Sequence, residues 1–107
     1  MTTAMAEDIL GGDERVFAPM SLEQIFYKVC EIMKNEAMVE IDTEIHMATL
    51  MWNELGMDSL DFVDLGREIE QEFGVRIPDA DFYKMNSYSV GTLCEIVERE
   101  LQNKANS

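Results

Sequence analysis

The sequence predicts an all-α bundle of four helices: three longer ones, a short third helix, and a long loop between helices 1 and 2. Three observations lead there. Apolar residues recur at helical spacing in three separate segments. Each of those segments opens on a residue suited to cap a helix. No run alternates apolar and polar residues long enough to build a sheet. A length of 107 residues fits one small domain. There is no internal repeat or low-complexity tract.

Residues 1–19 read as an N-terminal arm without fixed structure. They hold Gly11-Gly12, scattered acids and little periodicity, and Pro19 closes them. The folded domain is expected over 20–102. Its first helix, about 22–35, follows a capping box in which Ser21 caps and Gln24 stands three positions on. Leu22, Ile25, Phe26, Val29, Ile32 and Met33 form its apolar stripe.

The segment from about 38 to 57 is the least regular. Ile41, Ile45, Met47, Leu50, Met51, Trp52 and Leu55 give it enough apolar side chains to pack over the helices, with a short helical turn expected within it. The second helix, about 59–73, has Asp58 as cap and Asp61 three positions on, a variant of the capping box. Leu60, Val63, Leu65 or Phe62, Ile69 and Phe73 are expected on its buried face, and Gly74 is its stop. Ile77-Pro78-Asp79 forms a stiff link, because proline disfavours helix at the residue before it.

A short third helix, about 79–85, presents Phe82 and Met85, and Asn86-Ser87-Tyr88 turns the chain. The fourth helix begins after Ser89 as cap. Val90, Leu93, Cys94, Val97 and Leu101 lie on its apolar side. Residues 103–107 are expected to fray.

Charge narrows the function. With 22 acidic and 8 basic residues the chain carries a net charge of −14. Such a field repels phosphate backbones and anionic membranes, so nucleic acid and membrane surfaces are poor partners. Basic protein patches are good ones. No stretch approaches the ~20 apolar residues of a membrane span. The acidic N-terminus does not resemble a secretory or transit signal, and a cytoplasmic setting is expected. Two cysteines, Cys30 and Cys94, each sit within an apolar helical pattern and are expected as reduced thiols rather than a disulfide. The single histidine, His46, leaves little for a zinc site or a Ser–His couple. No D-x-D-x-D-G calcium loop is present. Nine methionines fit adaptable core filling.

The segment that carries chemistry is Leu55-Gly56-Met57-Asp58-Ser59-Leu60, where the long loop meets the second helix. It places the Ser59 hydroxyl at a helix N-terminus, where unpaired N–H groups and the helix dipole favour negative charge. A phosphodiester on Ser59 would be well tolerated there. Leu55 and Leu60 are expected to pin both sides of the serine to the core. Taken alone, Ser59 is also what any helix start can carry.

The wider pattern resembles the attachment region of acyl carrier proteins. The likeness covers about residues 21–101. It rests on Leu55-Gly56-Met57-Asp58-Ser59-Leu60, the acidic helix after it, Glu70-Gln71-Glu72-Phe73 and Ile77-Pro78-Asp79. The resemblance implies a four-helix acyl-carrier fold and no catalysis by the chain itself. It implies a 4'-phosphopantetheine arm placed on Ser59 from coenzyme A by a Mg²⁺-dependent phosphopantetheinyl transferase. The arm's thiol would carry acyl groups as thioesters in fatty-acid, polyketide or related biosynthesis. The implied partners are that transferase and acyl-handling enzymes of acyltransferase, ketosynthase, reductase or ligase type, and the carrier is expected to be monomeric.

Between Glu36 and Glu72 there are eleven acids against one base, Arg67. By resemblance, Asp58, Leu60, Asp61, Asp64, Arg67 and Glu68 form the docking surface. Met51, Trp52, Leu55, Val63, Phe82 and Met85 are candidates to line an acyl pocket. The chain departs from the family pattern at Gly66 inside the second helix, at Arg67, at the large Phe82 and in about two extra residues before the fourth helix, which suits a specialised carrier. The alternative reading is an acidic helical adaptor without a prosthetic group, which leaves the Leu-Gly-Met-Asp-Ser-Leu run unexplained.

Overall fold

The computed structural model describes residues 20–106. The expected N-terminal arm and Ser107 lie outside them. The element order is α1 (Leu22–Asn35), α2 (Ser59–Phe73), α3 (Asp79–Phe82), a 3-10 turn (Met85–Ser87) and α4 (Val90–Ala105). The four-helix architecture expected from the sequence is present, and α1 packs against both α4 and α2.

Local chemistry accounts for the boundaries. At α1 the Ser21 hydroxyl accepts from Gln24 N (3.2 Å) and the Gln24 side chain accepts from Ser21 N (2.9 Å). The end of α1 follows no glycine. Met38 N donates to Met33 O (2.9 Å) and Ala37 N to Lys34 O (3.2 Å), while Ala37 takes φ 58°. These are the bonds of a helix stop that glycine usually occupies. Gly74, with φ 67°, ends α2 as expected, and Lys104 Nζ donates to its carbonyl (2.9 Å). That contact comes from the last turn of α4, which runs three residues past the boundary expected at 102.

The core is a stack of wholly buried side chains from every layer: Ile25, Val29 and Met33 of α1, Leu65 and Ile69 of α2, Leu93, Cys94 and Val97 of α4. Met51 and Met57 of the long loop and Met85 join them. Three such loop and turn methionines suit an irregular space, since the unbranched thioether adapts to it.

The long loop contains the short helical turn expected in it, closed by Glu54 N donating to Leu50 O (2.9 Å). Its path is set by the start of α4. Leu50 and Ser89 form an antiparallel bridge. Val90 N donates to Thr49 O (2.9 Å) and Gly91 N to Met47 O (2.7 Å). The loop carbonyls thus satisfy α4's first two N–H groups, which a helix cannot pair internally. A Cβ at residue 91 would stand 2.8 Å from Met47 O, so the approach requires glycine.

Two expectations change in detail. The third helix stops at Phe82 rather than continuing to 85. The Ser87 hydroxyl donates to Lys84 O (2.7 Å), and i→i+3 bonds replace helical ones from Lys84 to Tyr88. On α2, Leu60 and Val63 do not face the core: they are 75% and 46% exposed. Phe62, Leu65, Gly66, Ile69 and Phe73 make the buried stripe at spacings of three, one, three and four.

Candidate functional site

Ser59 is the first residue of α2, and it is exposed. The local fold follows from Asp58. Its carboxylate accepts from Asp61 N (2.9 Å), and the Asp61 carboxylate accepts from Asp58 N (3.1 Å). This reciprocal pair satisfies two of the helix's four orphan donors. Ser59 N and Leu60 N have no protein acceptor among the described residues, and neither does the Ser59 hydroxyl. The contrast with α4 is direct, since loop carbonyls cover the equivalent groups there.

On the loop side the chain reaches Ser59 through Gly56, at φ 69°, and through Met57, whose side chain is buried and whose N–H donates to Met51 O (3.1 Å). Met57 therefore anchors the serine from the core side, the role the sequence assigns to Leu55 and Leu60. Leu55 is half-buried and Leu60 points to solvent, so the pinning expected of Leu60 does not occur.

A cavity of about 350 Å³ opens beside the serine, lined by Ser59, Phe62, Val63, Phe82, Tyr83 and Asn86. Of the six acyl-pocket candidates, Val63 and Phe82 line it. Met51 and Met85 are core residues, Leu55 borders a separate depression beside Glu54, and Trp52 stacks on Phe62 at 6.1 Å between ring centroids. Phe62, Tyr83 and Asn86 are additions the sequence reading misses. Phe62 was legible as a helix residue three positions after the serine. Tyr83 and Asn86 were not, because α3 is placed by distant contacts. The Arg99 guanidinium donates to Asp81 (2.9 Å), and Tyr88 OH donates to the same carboxylate (3.1 Å).

The acids divide into two groups. Glu70 accepts from Ile77 N (2.9 Å) and the half-exposed Glu72 pairs with Lys28 (3.0 Å), so both have partners within the chain. Asp58, Asp61 and Glu68 have no cation partner among the described residues, and Asp64 meets only Arg67, at 3.6 Å between exposed side chains. Such an exposed pair holds little energy. The expected docking residues thus share one electronegative helix with the exposed apolar Leu60 and Val63.

The chain's own thiols are chemically quiet. Burial pushes Cys94 up to about 12, and burial also raises half-buried Cys30; both are free. Neither is a ready nucleophile toward a thioester at neutral pH. Among the described residues no cluster of His, Cys, Asp or Glu could hold a metal ion, and no helix is long and apolar enough to cross a membrane.

These surroundings fit a covalently attached phosphodiester and a pendant arm. The hydroxyl is accessible, two N–H groups unpaired among the described residues lie beside it, and an apolar cavity adjoins it. Comparison with known proteins agrees. Residues 28–97 match the family model described as a phosphopantetheine attachment site. An acyl carrier protein of Thermotoga maritima is 37% identical over 81 residues, covering 76% of this chain and 96% of the relative. One from Coprothermobacter proteolyticus is 35% identical over 85 residues, covering 79% of this chain and all of the relative (100%). One from Prochlorococcus marinus is 42% identical over 60 residues, covering 56% and 74%. An exposed serine opening an acidic helix, a match across the attachment region and two relatives aligned over nearly their full length make this chain a member of the acyl carrier protein family, whose prosthetic group is a covalently attached 4'-phosphopantetheine.

Proposed function

We propose that Ser59 is the residue that carries the 4'-phosphopantetheine arm, and that the chain shuttles acyl intermediates in a fatty-acid, polyketide or related pathway of the cytoplasm. The observation that carries this reading is the state of the Ser59 hydroxyl: exposed, without a partner among the described residues, and next to two backbone donors that are equally open there.

In the loading step the Ser59 oxygen forms a bond to the pantetheine-side phosphorus of coenzyme A, the pyrophosphate bond breaks, and the adenosine bisphosphate departs. The hydroxyl proton goes to a base on the transferase. Once attached, the arm supplies a thiol that holds acyl groups as thioesters. The chain's own contribution is presentation. The Asp58–Asp61 box fixes the first turn of α2, so the serine stays at its first position. The N–H groups of Ser59 and Leu60 favour the new negative charge. Catalysis then resides in the partners.

Asp58, Asp61, Asp64 and Glu68 support docking by basic surfaces of the transferase and of acyl-handling enzymes, with Leu60 and Val63 as apolar contacts among them. Charges of this kind raise the rate of encounter and make it sensitive to salt. The test is an intact-mass measurement after incubation with coenzyme A, Mg²⁺ and a broad-specificity transferase. Wild-type protein should gain one phosphopantetheinyl group and Ser59→Ala none. No gain with several transferases would overturn the reading.

A further inference from the structure

One wall of the cavity beside Ser59 is Phe82, and its ring sits directly against Gly66 of α2. Ser59, Phe62 or Val63, and Gly66 recur at spacings of three, four and seven, so they share one side of α2. Gly66 stands roughly 10 Å along the axis from Ser59 at 1.5 Å per residue. A side chain at 66 would continue the wall that Val63 begins. Instead, the ring of Phe82 occupies that position: a Cβ built on Gly66 would overlap Phe82 Cζ and lie 2.6 Å from Cε1. The ring closes the trough against bare helix backbone.

The closure is held in place. Phe82 ends α3, and the neighbouring Asp81 takes hydrogen bonds from Arg99 (2.9 Å) and Tyr88 (3.1 Å). The Phe82 side chain also packs on the buried core. Of the cavity's walls, Phe62 is buried and Phe82 is partly buried against the core, whereas Tyr83, 87% exposed, forms only the rim.

We propose that Phe82, seated on Gly66, sets the depth of the acyl cavity and restricts it to short acyl chains, leaving longer ones uncovered. This rests on Ser59 being the attachment point. Removing the ring would expose Gly66, and the trough would run on along α2 with no side chain at 66 to stop it.

The experiment loads wild type, Phe82→Ala and Phe82→Leu with acetyl, butyryl, hexanoyl, octanoyl and dodecanoyl groups, and unfolds each in urea. The readout is stability relative to the unacylated holo form of the same variant, so any general weakening by the substitution cancels. A chain covered only in the native state raises stability. Each methylene that finds cover should multiply the folded-to-unfolded ratio roughly four-fold. In wild type the gain should rise over the short chains and then level off. It should level off later in Phe82→Leu and latest in Phe82→Ala. A gain that continues to dodecanoyl in wild type, no gain for any chain, or the same profile in all three proteins would overturn the proposal. Should the mass gain at Ser59 itself fail, the attachment reading falls first and this inference with it.

Discussion

Replacing Gly66 with alanine puts a methyl carbon where Phe82 already sits. The built Cβ lies 2.6 Å from Cε1 and 3.3 Å from Cε2 of that ring, so the ring must move. Two opposing effects decide the outcome. Alanine is better than glycine in a helix interior by about 1 kcal/mol. Forcing extra volume into a filled site costs about 1–3 kcal/mol. The net should be a loss of up to about 2 kcal/mol, a fall in the thermal midpoint of up to roughly 10 °C for a domain of this size. Removing the ring should reverse the sign. In a Phe82→Ala background, Gly66→Ala meets nothing from residue 82 and should stabilise by about 1 kcal/mol. Urea unfolding of the four proteins, followed by helical circular dichroism, closes the double-mutant cycle, with an expected coupling of about 1–3 kcal/mol. If alanine at 66 stabilises both backgrounds equally, the ring does not rest on Gly66 and the reasoning fails.

Three other predictions follow from the site and the core. Asp58→Ala should cost about 1 kcal/mol through loss of the helix cap, whereas Asp58→Asn should hold stability near wild type, because asparagine caps equally well; slower transferase loading of the Asn variant would then report a contact with the enzyme rather than a loss of fold. Reversing Asp64 and Glu68 together to lysine should lower the rate of association with a basic partner about ten-fold at low salt, and the two proteins should converge as salt is raised; stopped-flow binding across an ionic-strength series reads this. Burial raises Cys94 in the folded state from 9.0 to about 12, so its contribution is fully present below pH 9.0 and is lost as pH rises towards 12; the unfolding free energy from urea titration should fall across that window by at most about 1.4 kcal/mol per pH unit, less steeply in Cys94→Ala.

Much of this molecule was readable along the chain because its helix ends are written in local chemistry. Ser21 with Gln24, Asp58 with Asp61, and Ser89 each satisfy backbone donors within three residues, and Gly74 supplies the left-handed stop. Local signals of that kind survive in one dimension. The end of α1 was less legible because Ala37 adopts φ 58° with no glycine to announce it. The long loop was opaque for a different reason. Its turns close locally, but its path over the start of α4 is fixed by bonds to distant residues, such as Gly91 N to Met47 O, which no short window of sequence contains.

The site divides along the same line. Ser59 at a helix start and the acids around it were visible from spacing. The orientation of Leu60 and Val63 was not, since a helix with apolar residues at 60, 62, 63 and 65 can bury either side until its neighbours are in place. The inner wall of the cavity depended on a contact sixteen residues apart, between Gly66 and Phe82. In the sequence, that glycine and that phenylalanine read as two separate departures from the family pattern. In the fold they are one feature.

Which oxygen the transferase uses can be read directly by fragmenting the modified protein after proteolysis. Ser21, Ser59, Ser87, Ser89 and Ser107 are the available serines. The phosphopantetheine ester should be confined to the peptide spanning Met57 to Leu60, with the added mass on Ser59. An ester on any other serine, or a chain that stays unmodified while its relatives load under the same conditions, would contradict it.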